Sequence, residues 1–239
     1  MAMKFSRTEL LIGSDSMKIL SKSTAAIFGI GGVGSFTAEA LARSGVGTIF
    51  LIDHDAIDVT NINRQIHALT STVGKSKVET MKSRLLDINP NANVETIEEF
   101  YSADNADDMF GMICHEKTSN IYIVDAIDNI RGKISLVREC SARKIPIVSC
   151  MGMAGKLDPT QIKVSDIFKT TVDPIARIMR RELKKLGIPQ LKVVYSTEEP
   201  RKRFTSDKLH RAIPGSIAFV PSAAGLVLAG VVVRDLIGQ

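Results

Sequence analysis

Residues 27–34 read Ile-Phe-Gly-Ile-Gly-Gly-Val-Gly, with glycines at 29, 31, 32 and 34 directly behind a short apolar run. A loop of this kind turns tightly and lets the backbone approach an anion. The helix that follows offers unpaired N–H groups and the positive end of its dipole. The sequence therefore predicts a strand over 24–28 (TAAIF), a glycine turn, and a helix over 35–44 (SFTAEALARS). The loop predicts a bound phosphate without saying which. With Asp53 nineteen residues past Gly34, where an acid would meet a ribose, NAD is one reading.

The same alternation continues along the chain. TIFLID (48–53) reads as a strand ending in an acid, followed by a polar loop. A helix is expected from about 75 to 88, with Val78, Met81, Leu85 and Ile88 on one face. VETIEEF, a helical stretch over 103–113, IYIVDAID, a helix over 130–143 and IPIVSC complete residues 24–150. Regular alternation predicts an α/β fold, a Rossmann-like open, mostly parallel sheet, with an N-terminal helical segment and a basic C-terminal extension. Ligands of such sheets sit at the carboxyl ends of strands, where the glycines, Asp53 and Asp125 all fall. We divide the chain into a nucleotide-binding core with its N-terminal arm (1–150) and a C-terminal part of the same domain (151–239).

In that second part Asp173-Pro174 marks a helix start, and the helix runs to a stop at Gly187. Ile175, Ile178, Met179, Leu183 and Leu186 form its apolar stripe, and Arg177, Arg180, Arg181, Lys184 and Lys185 its other face. KVVYSTEEP reads as a strand, RKRFTSDKLHR as a basic loop, and 216–238 as a final strand and buried helix. Residues 150–239 hold fifteen Lys/Arg against eight Asp/Glu, whereas 1–149 hold sixteen against eighteen. The positive field thus belongs to the C-terminal part and suits a polyanionic partner.

Apolar residues make up 44% of the chain, enough for an ordinary core and against disorder. The start, MAMKFSRTELLIG, lacks the apolar core of a signal peptide. The run 217–233 is short for a membrane span and is interrupted by Pro221, so a buried helix is expected there and no membrane association. Cys114, Cys140 and Cys150 are widely spaced and odd in number, which predicts buried thiols in a reducing cytoplasm and no zinc site.

The loop after Asp53 bears on the choice of nucleotide. VTNINRQIHALTSTVGKSKVE places Asn61, Arg64, Gln65, Lys75 and Lys77 within seventeen residues. Hydride transfer has no use for so many cationic groups beside the ribose acid. Breaking a triphosphate does, because charge builds on the transferring phosphorus and the departing pyrophosphate. Asp125 and Asp128 are then candidates for holding Mg²⁺.

FSRTELLIG, GIGGVGS, LIDHDAIDVTNINRQ, VGKSKVE and DAIDN together resemble the ubiquitin-activating-enzyme superfamily of adenylating proteins. NRQIHAL, KIPIVSCMG with AGKLDPTQI, DPIARIMRREL and KVVYSTEEP are similar to one branch of it, the tRNA threonylcarbamoyladenosine dehydratases. The resemblance covers about residues 5–238. It implies ATP and Mg²⁺, adenylation of the threonyl carboxylate of N6-threonylcarbamoyladenosine next to the tRNA anticodon, and ring closure that releases AMP. By motif, Gly29, Gly31, Gly32 and Gly34 would line the nucleotide, and Asp53 would accept from the ribose. Asn61, Arg64 and Lys77, with Gln65 beside them, would meet the triphosphate. Asp125 would bind the metal, with Asp128 and Asn129 near the adenine. Arg7 would reach into the partner subunit's site, making the enzyme a homodimer. Arg177, Arg180, Arg181, Lys184, Lys185, Arg201, Lys202, Arg203, Lys208 and Arg211 would track the tRNA backbone. A cysteine-desulfurase-type partner is a further expectation from the family setting. The alternative within the superfamily is an adenylyltransferase for a sulfur-carrier protein; outside it, a nucleotide-binding regulatory module without turnover.

Overall fold

A computed structural model describes residues 4–114, 120–201 and 215–239 of the chain. The strands are β1 (Thr24–Phe28), β2 (Thr48–Ile52), β3 (Asn93–Ile97), β4 (Ile121–Asp125), β5 (Ile147–Cys150), β6 (Ile162–Asp166) and β7 (Lys192–Ser196). They form one sheet in the order β3-β2-β1-β4-β5-β7-β6. All pairings are parallel except β6–β7, in which Ile162 faces Ser196 and Asp166 faces Lys192. β1 is buried along its whole length, as a central strand covered on both faces must be.

The helices are α1 (Ser6–Ile12), α2 (Ser14–Ser21), α3 (Gly34–Arg43), α4 (Lys77–Ile88), α5 (Ala106–Ile113), α6 (Ile130–Arg143), α7 (Pro174–Lys185) and α8 (Phe219–Leu236). Leu41, Leu85 and Leu228 pack α3, α4 and α8 on one face of the sheet against Ala25, Ile27 and Val124. Met109, Phe110 and Leu136 pack α5 and α6 on the other face, against Ala26 and Phe28. α7 extends that second layer through Met179 and Leu183, packed with Val193 and Tyr195.

Strand order reverses between β1 and β4, the first leading outward on one side and the second on the other. At such a reversal the two following connections part and leave a crevice at the strands' carboxyl ends. The glycine loop leaves β1 there and residues 126–129 leave β4.

Three expectations are corrected. No strand precedes the last helix among the described residues. α8 begins at Phe219, and Pro221 falls in its first turn, where a missing N–H costs nothing. α8 is long and apolar enough to cross a membrane, yet Thr37 Oγ1 on α3 donates to its Gly225 carbonyl at 3.0 Å and Leu228 is fully buried. The second correction is β6, an edge strand absent from the sequence reading: Ile162 to Ser165 alternate apolar and polar, but over only four residues, and none of the strand's residues is buried. The third is Cys114, which is exposed, while Cys140 and Cys150 are buried.

Candidate active site

Gly29 directly follows β1 at φ +90°, and a side chain there would lie 2.6 Å from the Ala126 carbonyl oxygen. One at Gly34, the first residue of α3, would overlap the Gly29 carbonyl at 1.8 Å. These two glycines thus allow the loop to fold on itself and press against the turn after β4. Gly32 lies under the NRQ loop, within 3.3 Å of Arg64 Cγ by the same measure, and Gly31 faces the Gln65 amide. Three segments distant in sequence meet at one strand edge.

Asp53 follows β2 and is fixed from two sides. Its Oδ2 accepts from the Ile30 N–H at 2.7 Å and its Oδ1 from the Asp55 N–H at 2.9 Å. Lys77 opens α4, whose N-cap is Ser76, and its ammonium lies 2.6 Å from Asp55 Oδ2 and 3.7 Å from Asp53 Oδ1. The Lys77 side chain is only 7% exposed, so its charge is held at this one spot. Asn61 closes a 3-10 turn (Val59–Asn61) and accepts the Asp58 N–H at 3.0 Å, while its carbonyl accepts from Arg64 N and Gln65 N. Arg64 is half-buried and folds over its own loop, donating to Thr60 O at 2.9 Å and Asn63 Oδ1 at 3.0 Å. Gln65 is buried, and its Oε1 has no hydrogen-bond partner among the described residues.

Asp125, expected to ligate a metal, is held by protein groups in this structure. Its side chain is fully enclosed, and Lys133 Nζ meets both carboxylate oxygens at 3.1 Å. Ser149 Oγ also donates to it, and Ile127 N–H does so at 3.1 Å. A carboxylate saturated in this way braces the turn that follows it. Asp128, three residues on, is exposed on that turn, and Asn129 caps α6 by accepting the Gly132 N–H at 2.6 Å. Of the two acids, Asp128 offers the hard, accessible oxygen that Mg²⁺ takes.

Arg7 is exposed on α1, a helix that buries none of its own residues. On α7, Arg177, Arg181, Lys184 and Lys185 are exposed, but Arg181 and Lys185 both pair with Glu182. Arg180 is not free for a ligand: it is half-buried and bonded to Thr170. Arg201 is exposed, whereas Lys202, Arg203, Lys208 and Arg211 lie outside the described residues.

Sequence reading overlooked Lys133, Lys156 and His67. Lys133 shares a helical face with Leu136, Val137 and Cys140, and a charge inside an apolar stripe was the available signal. His67 is 2% exposed, and neither ring nitrogen has a partner among the described residues. Burial, with Lys77 and Arg84 nearby, pushes its pKa down to about 4.

A doubly wound sheet with a glycine turn at its switch point, crowned by an arginine and a buried lysine, defines a nucleotide-binding protein built to stabilise charge on phosphates. The particular family follows from comparison with known proteins. The ThiF family model matches residues 5–237, and the chain belongs to that family. It is 47% identical to the tRNA threonylcarbamoyladenosine dehydratase of Bacillus subtilis, over 98% of this chain and 94% of that one. Identity to the Escherichia coli protein of the same name is 41%, over 82% and 74% respectively. The crystal structure of that E. coli enzyme in complex with AMP superposes with a TM-score of 0.87 at 36% identity, covering 98% of this chain and 94% of that one. Its complex with ATP gives 0.86 at 35% identity, with the same coverage. The molybdopterin-synthase adenylyltransferase of E. coli is 30% identical over only 62% of this chain and 57% of its own.

Proposed function

We propose that the chain is an ATP-dependent tRNA threonylcarbamoyladenosine dehydratase. The observation that carries this reading is the meeting of the glycine loop, the NRQ loop and the turn after β4 at one edge, together with full-length likeness to dehydratases solved with ATP and AMP.

In this reading the glycine loop and α3 hold the phosphates, and Asp53 accepts the ribose hydroxyls. Arg64, Lys77, Asn61 and Gln65 meet the triphosphate. Of the two acids expected to hold Mg²⁺, Asp128 is the accessible one and would take the ion, which supplies charge neutralisation on the phosphates when bound. A carboxylate oxygen of the threonyl group attacks the α-phosphorus, and pyrophosphate leaves. The oxygen of the modification's own carbamoyl group then attacks the activated carbonyl carbon. A ring N–H proton is lost, and AMP departs carrying one carboxylate oxygen. Because this nucleophile is intramolecular, the protein's task is orientation, and neither buried cysteine is required. Burial raises both thiols, Cys150 to about 12.

The active form is a homodimer. α1 exposes Leu10 and Leu11, at 87% and 84%, near the exposed Leu226 of α8. A cavity of about 480 Å³ lies between the two helices, lined by Leu11, Ile12, Leu226 and Val233. A second copy covering this apolar surface would bring its own α1, and with it Arg7, to the crevice. Mixing an Arg7→Ala chain with an Arg64→Ala chain restores activity if Arg7 works in trans, because one hybrid site is then complete. The exposed cations Arg177 and Lys184 attract the tRNA backbone, and a tRNA substrate together with the enzyme's three free thiols supports a cytoplasmic location.

The deciding measurement is made with ATP, Mg²⁺ and tRNA bearing the threonylcarbamoyl group, followed by digestion and nucleoside mass analysis. Loss of one water from the modified adenosine, with AMP released, is expected. An unchanged mass, with pyrophosphate exchange stimulated instead by a carrier protein ending in Gly-Gly, would establish the sulfur-carrier alternative.

A further inference from the structure

Two buried lysines grip the chain as it leaves β5. Lys133, from α6, donates to the Cys150 carbonyl at 2.6 Å while holding Asp125 and the turn behind it. Two residues later the Gly152 carbonyl accepts from Lys156 Nζ at 2.7 Å, and the same ammonium lies 3.0 Å from Asp173 Oδ2. Both side chains of this second pair are 0% exposed. The other oxygen of Asp173 caps α7, accepting the Ala176 N–H at 2.9 Å. One carboxylate therefore ties the loop after β5 to the first turn of the basic helix.

The approach to that helix is strained. Val172 sits at φ +64°, and the Asp173 N–H donates across it to the Thr171 carbonyl at 2.6 Å. A γ-turn centred on a β-branched residue at positive φ is rare and persists only where its surroundings over-determine it. Arg180 adds to that constraint by reaching back to the Thr170 carbonyl at 3.0 Å. Anchorage of α7 to the core alone would need none of this, since Ala176, Met179 and Leu183 are already fully buried. A buried ion pair is also a poor source of net stability, because desolvation offsets its attraction. Its contribution here is geometric.

We propose that Lys156 and Asp173 are positioning residues that set the basic face of α7 at a fixed distance from the nucleotide turn at 125–129, so that bound RNA presents its carboxylate to ATP. This rests on the dehydratase reading above. The frame is continuous: Asp125 and Lys133 hold the turn and the Cys150 carbonyl, and Lys156 and Asp173 hold the Gly152 carbonyl and α7.

The test compares three variants of the full chain: Lys156→Met together with Asp173→Asn, Asp173→Asn alone, and Lys156→Arg. Asn keeps a capping oxygen at the helix start. Met109→Ala, on the buried face of α5, serves as a control destabilised away from α7. Removing the pair should raise KM for modified tRNA about tenfold and leave KM for ATP within about twofold. Amide exchange across 174–185 should quicken about tenfold, while that of the glycine loop stays unchanged. Lys156→Arg should return both readouts towards wild type, and Met109→Ala should move neither. If the double variant does not fold, Asp173→Asn carries the same expectations. Unchanged exchange in α7, or KM values for tRNA and ATP that rise together, would overturn the proposal. Faster exchange in α7 in the variants, with no dehydration of tRNA by the wild type, would sustain the positioning role and overturn the dehydratase reading instead.

Discussion

The nucleotide end of the sheet and the outer face of α7 both carry clustered charge, but they hold it differently. At the crevice the charges are pinned by hydrogen bonds and ion pairs: Asp53 by the Ile30 and Asp55 N–H groups, Lys77 by Asp55, and Asp125 by the Ile127 N–H and Lys133. On α7 the exposed cations project from one helix, and Glu182 neutralises two of them. Chemistry at a single phosphorus needs charges that do not move. Holding a polyanion needs only a field of the right sign. One region should therefore answer to single substitutions and to pH, the other to salt and to summed charge.

The sharpest way to break this contrast is Arg64→Ala. Loss of the arginine should reduce turnover by about 10³-fold with little change in tRNA affinity, read as AMP release at saturating ATP. Asp125 and Asp128 should then separate by the kind of damage. Asp128→Asn should cost about 10²-fold in rate while the protein melts near its wild-type temperature. Asp125→Ala should instead destabilise the fold by about 3–5 kcal/mol, because Lys133 is left buried without its partner; a denaturant titration measures this.

His67 tests the pH side of the contrast. Its folded pKa of about 4 lies below the ordinary 6.5, so its neutral form supports folding fully above pH 6.5. As pH falls from 6.5 towards 4 the unfolded chain takes up the proton first, and about 3 kcal/mol should be lost. Replacing His67 with Leu should flatten that part of the stability profile. The smallest effects belong to α7. Arg177→Ala with Lys184→Ala should weaken tRNA binding about tenfold at low salt, lower the slope of log K against log salt by about two, and spare ATP binding. Arg181→Ala should change affinity by no more than about twofold, since Glu182 already offsets its charge.

Legibility followed the kind of signal each region carries. The strand at 24–28, the glycine turn and α3 were readable because apolar runs and glycines report backbone geometry locally. α7 was equally clear from Asp173-Pro174 and its stripe. β6 was not, because its alternation spans only four residues and none of them is buried. The surroundings of Asp125 and Asp128 were not legible, because two acids three residues apart at a strand end look alike in sequence. Only the packing of α6 and β5 encloses one and leaves the other exposed.

The sequence by itself therefore determined the doubly wound architecture, the phosphate loop and the group of cationic residues beside it, since these depend on spacing and residue type along a continuous segment. Only the tertiary structure decided which acid is enclosed and which is exposed, that Arg180 is occupied, and that Lys133 and Lys156 clasp the exit of β5. Those outcomes depend on which distant side chains share one buried volume. There a charge is either satisfied or expelled, and no local pattern records which.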